Sequence, residues 1–266
     1  MVVVELPPAG HIWLSTTSSA AVLYLFRQGC YLQNPAGAIL ALVCPVVGSG
    51  PFQAVLGSPF EFERLDPLAA VSLEPTRLLI GRFAFDFSGA KLGEPRPDWV
   101  KVSRPGLSAA LPTLHTLLAQ TRPPAAPLSP SLLSLPQTGR LLAALQANDR
   151  AGCTAAVAAL AGLGQGLTPA GDDFLMGIIY GLWAARPESP LIAAIVQAAI
   201  PRTTRLSAAW LAAAGRGEAS QPWHVFVQAL ITNAPLEPAA RTILNIGHSS
   251  GREALTGFTT LLHLEI

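Results

Sequence analysis

Lysine is almost missing from this chain of 266 residues: it stands only at positions 91 and 101, and every cation from Arg104 onward is arginine, any protonated histidine aside. Charge of either sign is scarce, at 12% of residues, and the formal net charge is +1. No basic face gathers, which argues against a nucleic-acid partner. The arginine bias suits bidentate recognition of carboxylate or phosphate, and a GC-rich genome produces the same bias. Cysteine is also rare. Cys30, Cys44 and Cys153 are odd in number and unclustered, so we expect no disulfide framework, no metal site and a reducing, cytoplasmic setting. Long apolar runs are missing although mean hydropathy is +0.42. The longest, Ala36 to Val47 (broken by Pro45) and Phe174 to Ala185, fall short of the roughly 20 residues that cross a bilayer. The segment Met1 to Glu5 has no basic residue, so we expect neither a signal peptide nor a membrane role. The apolar excess reads as surface kept for a partner subunit.

What is present divides into two textures. Up to about Phe87 the chain reads as short strands punctuated by Pro and Gly. We expect strands at Val2–Leu6, His11–Ser15, Ala21–Arg27, Ala38–Val43, Phe52–Leu56 and Leu78–Phe87; within the last, Phe83, Phe85 and Phe87 alternate as on a half-buried strand. Beyond about Ser103 the period turns helical. We expect helices at 108–120, 138–147, 149–161, 172–185, 191–199, 203–214, 223–232, 238–247 and 252–262, with a proline-rich joint from Pro123 to Pro130. No internal repeat of fixed period is visible. The expected fold is α+β: a β-rich N-terminal domain over residues 1–103 and a mostly helical domain over 104–266, with glycine-rich loops at helix N-termini.

The segment from Gly162 to Asp173, with further glycines at Gly164, Gly166 and Gly171, combines permissive backbone with a helix start. Unpaired N–H groups and the positive dipole end make such a place an anion site for carboxylate or phosphate. Three familiar motifs do not fit. A dinucleotide fingerprint follows a strand, and residues 155–161 read as helix. A phosphate-binding P-loop needs Lys, and a nucleophile elbow needs Ser where Gln165 stands. Two readings of Asp172 and Asp173 stay open. One is plain capping of the helix. The other puts one carboxylate in a pocket as acceptor or base. We expect Asp172 to be the cap, because it follows Gly171.

Gly247-His248-Ser249-Ser250-Gly251 repeats the same physics before the last helix, and His248 adds a group that titrates near neutrality. Helix capping explains this segment equally well. Two such loops can converge on one ligand with two anionic ends. Thr203, Thr204 and Ser207 offer hydroxyls, with 203 and 207 on one face if the helix already runs there; capping is the alternative.

The strings Gly164 to Phe174 (with Gly-Leu-Thr-Pro-Ala-Gly-Asp-Asp at its heart), Thr203 to Ser207 and Gly247 to Gly251 together resemble a bacterial family: a subunit of oxamate carbamoyltransferase from anaerobic allantoin degradation. The resemblance is strong over about 162–257 and loose before it. It implies transfer of a carbamoyl group between oxamate and phosphate, so that oxalurate plus phosphate gives oxamate plus carbamoyl phosphate, by a complex with two other, different subunits. Ser249 and Arg252 stand where family members usually carry Thr and an acid. The resemblance brings no catalytic assignment; from the chemistry of the two loops, Asp172, Asp173 and His248 are candidate catalytic residues. Gly164, Gly166, Thr168, Gly171, Thr203, Thr204, Ser207, Ser249, Ser250 and Gly251 are candidate ligands of a small anionic substrate. No metal or cofactor is expected. A scaffold or ligand-sensing subunit, or a stand-alone enzyme on another small carboxylate or amide, are the alternatives.

Overall fold

The computed structural model describes residues 1–121 and 132–265, and falls into two compact units. The proline-rich joint lies outside the described residues. The first unit is Met1–Arg96 with Glu218–Gln221. It holds β1 (Val3–Leu6), α1 (Pro8–Thr16), β2 (Ala21–Phe26), β3 (Gly29–Gln33), β4 (Ile39–Val43), β5 (Gln53–Leu56), β6 (Val71–Glu74), β7 (Arg77–Ile80), β8 (Phe83–Asp86) and β9 (Lys91–Leu92). Six strands form a mixed sheet in the order β2-β3-β4-β5-β1-β9, and β6-β7-β8 form a separate antiparallel meander. Trp13, Leu40, Leu42, Phe62, Leu78 and Phe85 belong to the one apolar core of this unit.

Local pattern misplaces several of these elements, and β3, β6 and β9 have no counterpart among the expected strands. His11–Ser15 is helix: Pro8 at the first helical position presets φ, and Gly10 and Trp13, three apart, share the buried face of α1. The stretch 78–87 is two strands, turned at Gly81 and Arg82, with Ile80 opposite Phe83. The unpredicted β3 pairs on both sides and is almost wholly buried, so it lacks the alternation that marks a half-exposed strand.

The second unit, Pro97–Gly217 with Pro222–Ile266, is helical. Its helices are α2 (Arg104–Gln120), α3 (Pro136–Gln146), α4 (Arg150–Leu160), α5 (Ala170–Ala185), α6 (Leu191–Ala199), α7 (Arg205–Gly215), α8 (Gln221–Thr232), α9 (Leu236–Leu244) and α10 (Ser250–Glu265). α5 is buried nearly all round, as a helix apolar on every face must be. It crosses α10 backbone to backbone. A Cβ at Gly177 would collide with the Ala254 carbonyl, and one at Gly257 with the Phe174 carbonyl. Trp99 stacks on Tyr180 at 5.4 Å, and Trp223 sits between Tyr180 at 4.8 Å and Phe258 at 5.5 Å. Among the described residues no helix is long and apolar enough to cross a membrane.

Candidate functional site

α4 ends at Leu160, and Gly162 takes φ +74°, the left-handed conformation that ends many helices. A side chain there would also run into the Arg202 carbonyl. The loop therefore joins two helices, and no strand leads into it. α5 begins at Ala170, two residues before the expected start, with Pro169 as its N-cap. Neither aspartate is a cap. Asp172 and Asp173 occupy the third and fourth helical positions, both almost fully buried.

The two have different surroundings. Asp172 accepts the Gly162 N–H at 2.8 Å through Oδ1 and the Thr203 hydroxyl through Oδ2. The Thr204 hydroxyl donates to the Leu167 carbonyl at 2.5 Å, and its oxygen accepts the Ser207 N–H at 3.1 Å, which makes Thr204 the N-cap of α7. The α6–α7 junction is thus tied to the glycine loop at both ends. Thr203 precedes α7 rather than sharing a helical face with Ser207, because the Thr204 cap starts the helix at Arg205. Ser207 is buried, and its hydroxyl makes no hydrogen bond to the described residues.

Asp173 faces α10. It receives hydrogen bonds from Ser250 and Thr168, whose hydroxyls stand 2.9 Å from each other. The two predicted loops therefore meet at this carboxyl. Its Oδ2 makes no hydrogen bond to the described residues. Burial pushes the Asp173 carboxyl up to about 7; the Ser250 bond pulls against this, the charges of Asp172 and Glu253 add to it, and the Thr168 bond opposes it. Glu253 was not anticipated. Burial raises its carboxyl as well, against the pull of the Arg252 guanidinium, 3.2 Å away.

The remaining candidates are less enclosed. Gly164 and Gly166 are exposed at the loop tip, as are His248 and Ser249 in the turn before α10. Gly171 and Gly251 are buried for a shared reason: each lies against a carbonyl from the end of the preceding helix, Leu160 and Ile243 respectively. Their N–H groups are already taken, by Leu163 O at 2.8 Å and Ile246 O at 3.0 Å; those of Asp172 and Asp173 go to Pro169 O. The start of α5 thus offers fewer free donors than its sequence suggests, and presents carboxyl groups instead. Neither Cys30 nor Cys153 competes as a nucleophile: burial pushes Cys30 up to about 12 and, ahead of the Asp149 charge, Cys153 up to about 11. No group of three or more metal-binding side chains occurs among the described residues.

The parallel extends along both helices. Gly171-Asp-Asp-Phe-Leu-Met-Gly177 and Gly251-Arg-Glu-Ala-Leu-Thr-Gly257 share the pattern Gly-x-acid-x-Leu-x-Gly. Gly177 lies against Ala254 and Phe258, while Gly257 lies against Phe174 and Ile178. These are equivalent positions of the pattern, so α5 and α10 contact each other through the same residues, as in a local two-fold arrangement. This is the signal that would have found Glu253, the counterpart of Asp173.

A helical unit with two glycine-turn helix starts meeting at a buried acid is a candidate site and does not by itself specify a reaction. Residues 160–262, which run from the end of α4 into α10, match the family described as oxamate carbamoyltransferase subunit AllH. No solved structure matches the chain.

Proposed function

We propose that the chain is a subunit of a carbamoyltransferase that interconverts oxalurate plus phosphate with oxamate plus carbamoyl phosphate. One observation carries the reading beyond the family name: the two matched loops meet at Asp173, a buried carboxyl with one oxygen unpaired. A carbamoyl NH₂ supplies the N–H donors that such an oxygen lacks. In the forward direction a phosphate oxygen bonds to the carbamoyl carbon of oxalurate. The bond from that carbon to the oxamate nitrogen breaks, and the nitrogen leaves with a proton as the amide of oxamate. That proton is the one the attacking hydrogen phosphate loses, and Asp173 stays the acceptor of the carbamoyl N–H groups. Aligning the two bound partners lowers the barrier without a covalent intermediate.

Asp172 has a different task in this scheme. By holding Gly162 and Thr203 it keeps the loop in place, while Asp173 contacts the substrate. Thr168 and Ser250 orient the Asp173 carboxyl, and exposed Gly164, Gly166, His248 and Ser249 take the side from which substrate or a partner subunit arrives. The test is reconstitution: the chain is expressed with its genomic neighbours, and carbamoyl phosphate formation from oxalurate and phosphate is measured. The expected result is formation that requires this chain and drops in Asp173→Asn. Formation at full rate without this chain, or with that variant, assigns it a scaffold role and refutes the reading.

A further inference from the structure

The internal repeat gives the site a second acid. Asp173 and Glu253 occupy the same place in two copies of one pattern, each two residues after a buried glycine and four before the glycine at which α5 and α10 cross. The crossing brings the two helix starts together, and the Thr168–Ser250 contact closes them. Asp173 is 3% exposed, and its Oδ2 makes no hydrogen bond to the described residues. In such burial an unpaired acceptor is costly unless a donor meets it. Meanwhile the N–H groups of Gly171, Asp172, Asp173, Gly251 and Glu253 are taken by loop carbonyls. At the α5 start the unpaired group is therefore an acceptor, Asp173 Oδ2, while at the α10 start Glu253 already accepts from Arg252, whose buried Nε–H makes no hydrogen bond to the described residues.

We propose that Asp173 and Glu253 form one two-carboxyl acceptor site that grips the pair of N–H groups on a –CO–NH₂ end, with the anionic end of the same molecule held elsewhere. This rests on the functional reading above and names the part of the substrate that this chain recognises. It also reverses the sequence-based expectation of an anion at these helix starts. A planar carbamoyl nitrogen carries two N–H groups at a wide angle, and two carboxylates from facing helices supply one acceptor each. The Glu253 charge acts against ionised Asp173, so a neutral or donating ligand is favoured over a further carboxylate.

The charged groups around the pair are Asp172 on α5 and Arg252 on α10; Thr168 and Ser250 are its polar neighbours. Raising the pH ionises Asp173, so binding of an amide strengthens through about pH 7. The direct test uses the full chain and two near-isosteric probes, oxamate and oxalate. Oxalate replaces the NH₂ by oxygen and brings no N–H. Titration calorimetry at pH 8 should show oxamate bound at least tenfold more tightly than oxalate, with the preference shrinking at pH 6. Equal binding, or tighter oxalate binding, overturns the proposal.

A second arm needs no ligand. Carbon-detected NMR of the Asp173 carboxyl should show its midpoint near 7 in the native chain and lower in Glu253→Gln, because one facing negative charge is gone. An unchanged midpoint sinks the pairing. Glu253→Asp keeps the charge and should hold the midpoint up, which separates loss of charge from loss of packing. If reconstitution yields no carbamoyl phosphate while both arms succeed, the transferase reading fails and the carbamoyl-end site stands.

Discussion

Replacing Asp172 by Asn leaves one acceptor oxygen for two donors, the Gly162 N–H and the Thr203 hydroxyl, and turns an NH₂ toward one of them. An unsatisfied group in a residue 2% exposed costs about 1–3 kcal/mol. Urea denaturation should register that loss in Asp172→Asn, and a smaller one in Thr203→Val, which removes a single donor. An Asp172→Asn variant as stable as the native chain would contradict the clasp. Asp173 predicts a pH dependence of opposite sign to that of an ion-paired aspartate. Its folded value is about 7, above the ordinary value of about 3.9 in an unfolded chain. Below both values the group is neutral in either state. Between them the unfolded chain gives up its proton while the folded chain keeps it, so this group's contribution to stability falls as pH rises, and levels off above about 7. Asp173→Asn cannot titrate. Its stability relative to the native chain should therefore grow by roughly 2.5 kcal/mol between pH 5 and pH 8. A constant difference would show that the buried carboxyl titrates normally.

At the level of elements, the α5–α10 crossing decides where the two acids lie. Gly177 and Gly257 permit backbone contact, and a methyl at either collides with a carbonyl that cannot rotate away. Gly177→Ala and Gly257→Ala should each cost about 2–4 kcal/mol, because the helices must separate along their length. Thermal melts check this. The affinity for oxamate should fall too, since separating the helices parts Thr168 from Ser250. Gly181, one turn beyond, would meet only the Leu261 side chain, so Gly181→Ala should be milder. Equal effects at all three positions would argue against a backbone crossing.

On the scale of the whole molecule, the family described for residues 160–262 is a subunit, and the chain leaves Val2, Ile12, Val46, Leu68, Leu92 and Val100 exposed. Scattered apolar residues are ordinary on a surface. The subunit reading nonetheless predicts that co-expressed neighbours elute with this chain in one complex. Mass measurement by light scattering checks it: a monomer that alone makes carbamoyl phosphate from oxalurate at full rate would refute it.

The alternation of short apolar runs with Pro and Gly, and the later 3.6-residue period, determined the order of a β-rich part and a helical part. They also located the glycine loop between two helices, because α4 and α5 carry their own periodicity and Gly162 ends the first of them. Local signals failed where a neighbour in space outweighed them. β3 shows no clean alternation because side chains on both of its faces are buried or half-buried. The start of α5 moved to Ala170 because Pro169 and a carbonyl from Leu163 serve the first turn, leaving Asp172 free to bind groups 10 and 31 residues away. Which aspartate holds the loop and which is left unpaired depends on Thr203 and Ser250, and no spacing within the doublet encodes that. The sequence also contained the Gly-x-acid-x-Leu-x-Gly pattern twice, but a pattern seen twice places nothing by itself. Only the packing of α5 on α10, through glycines that let two backbones touch, set Glu253 and Asp173 at one site.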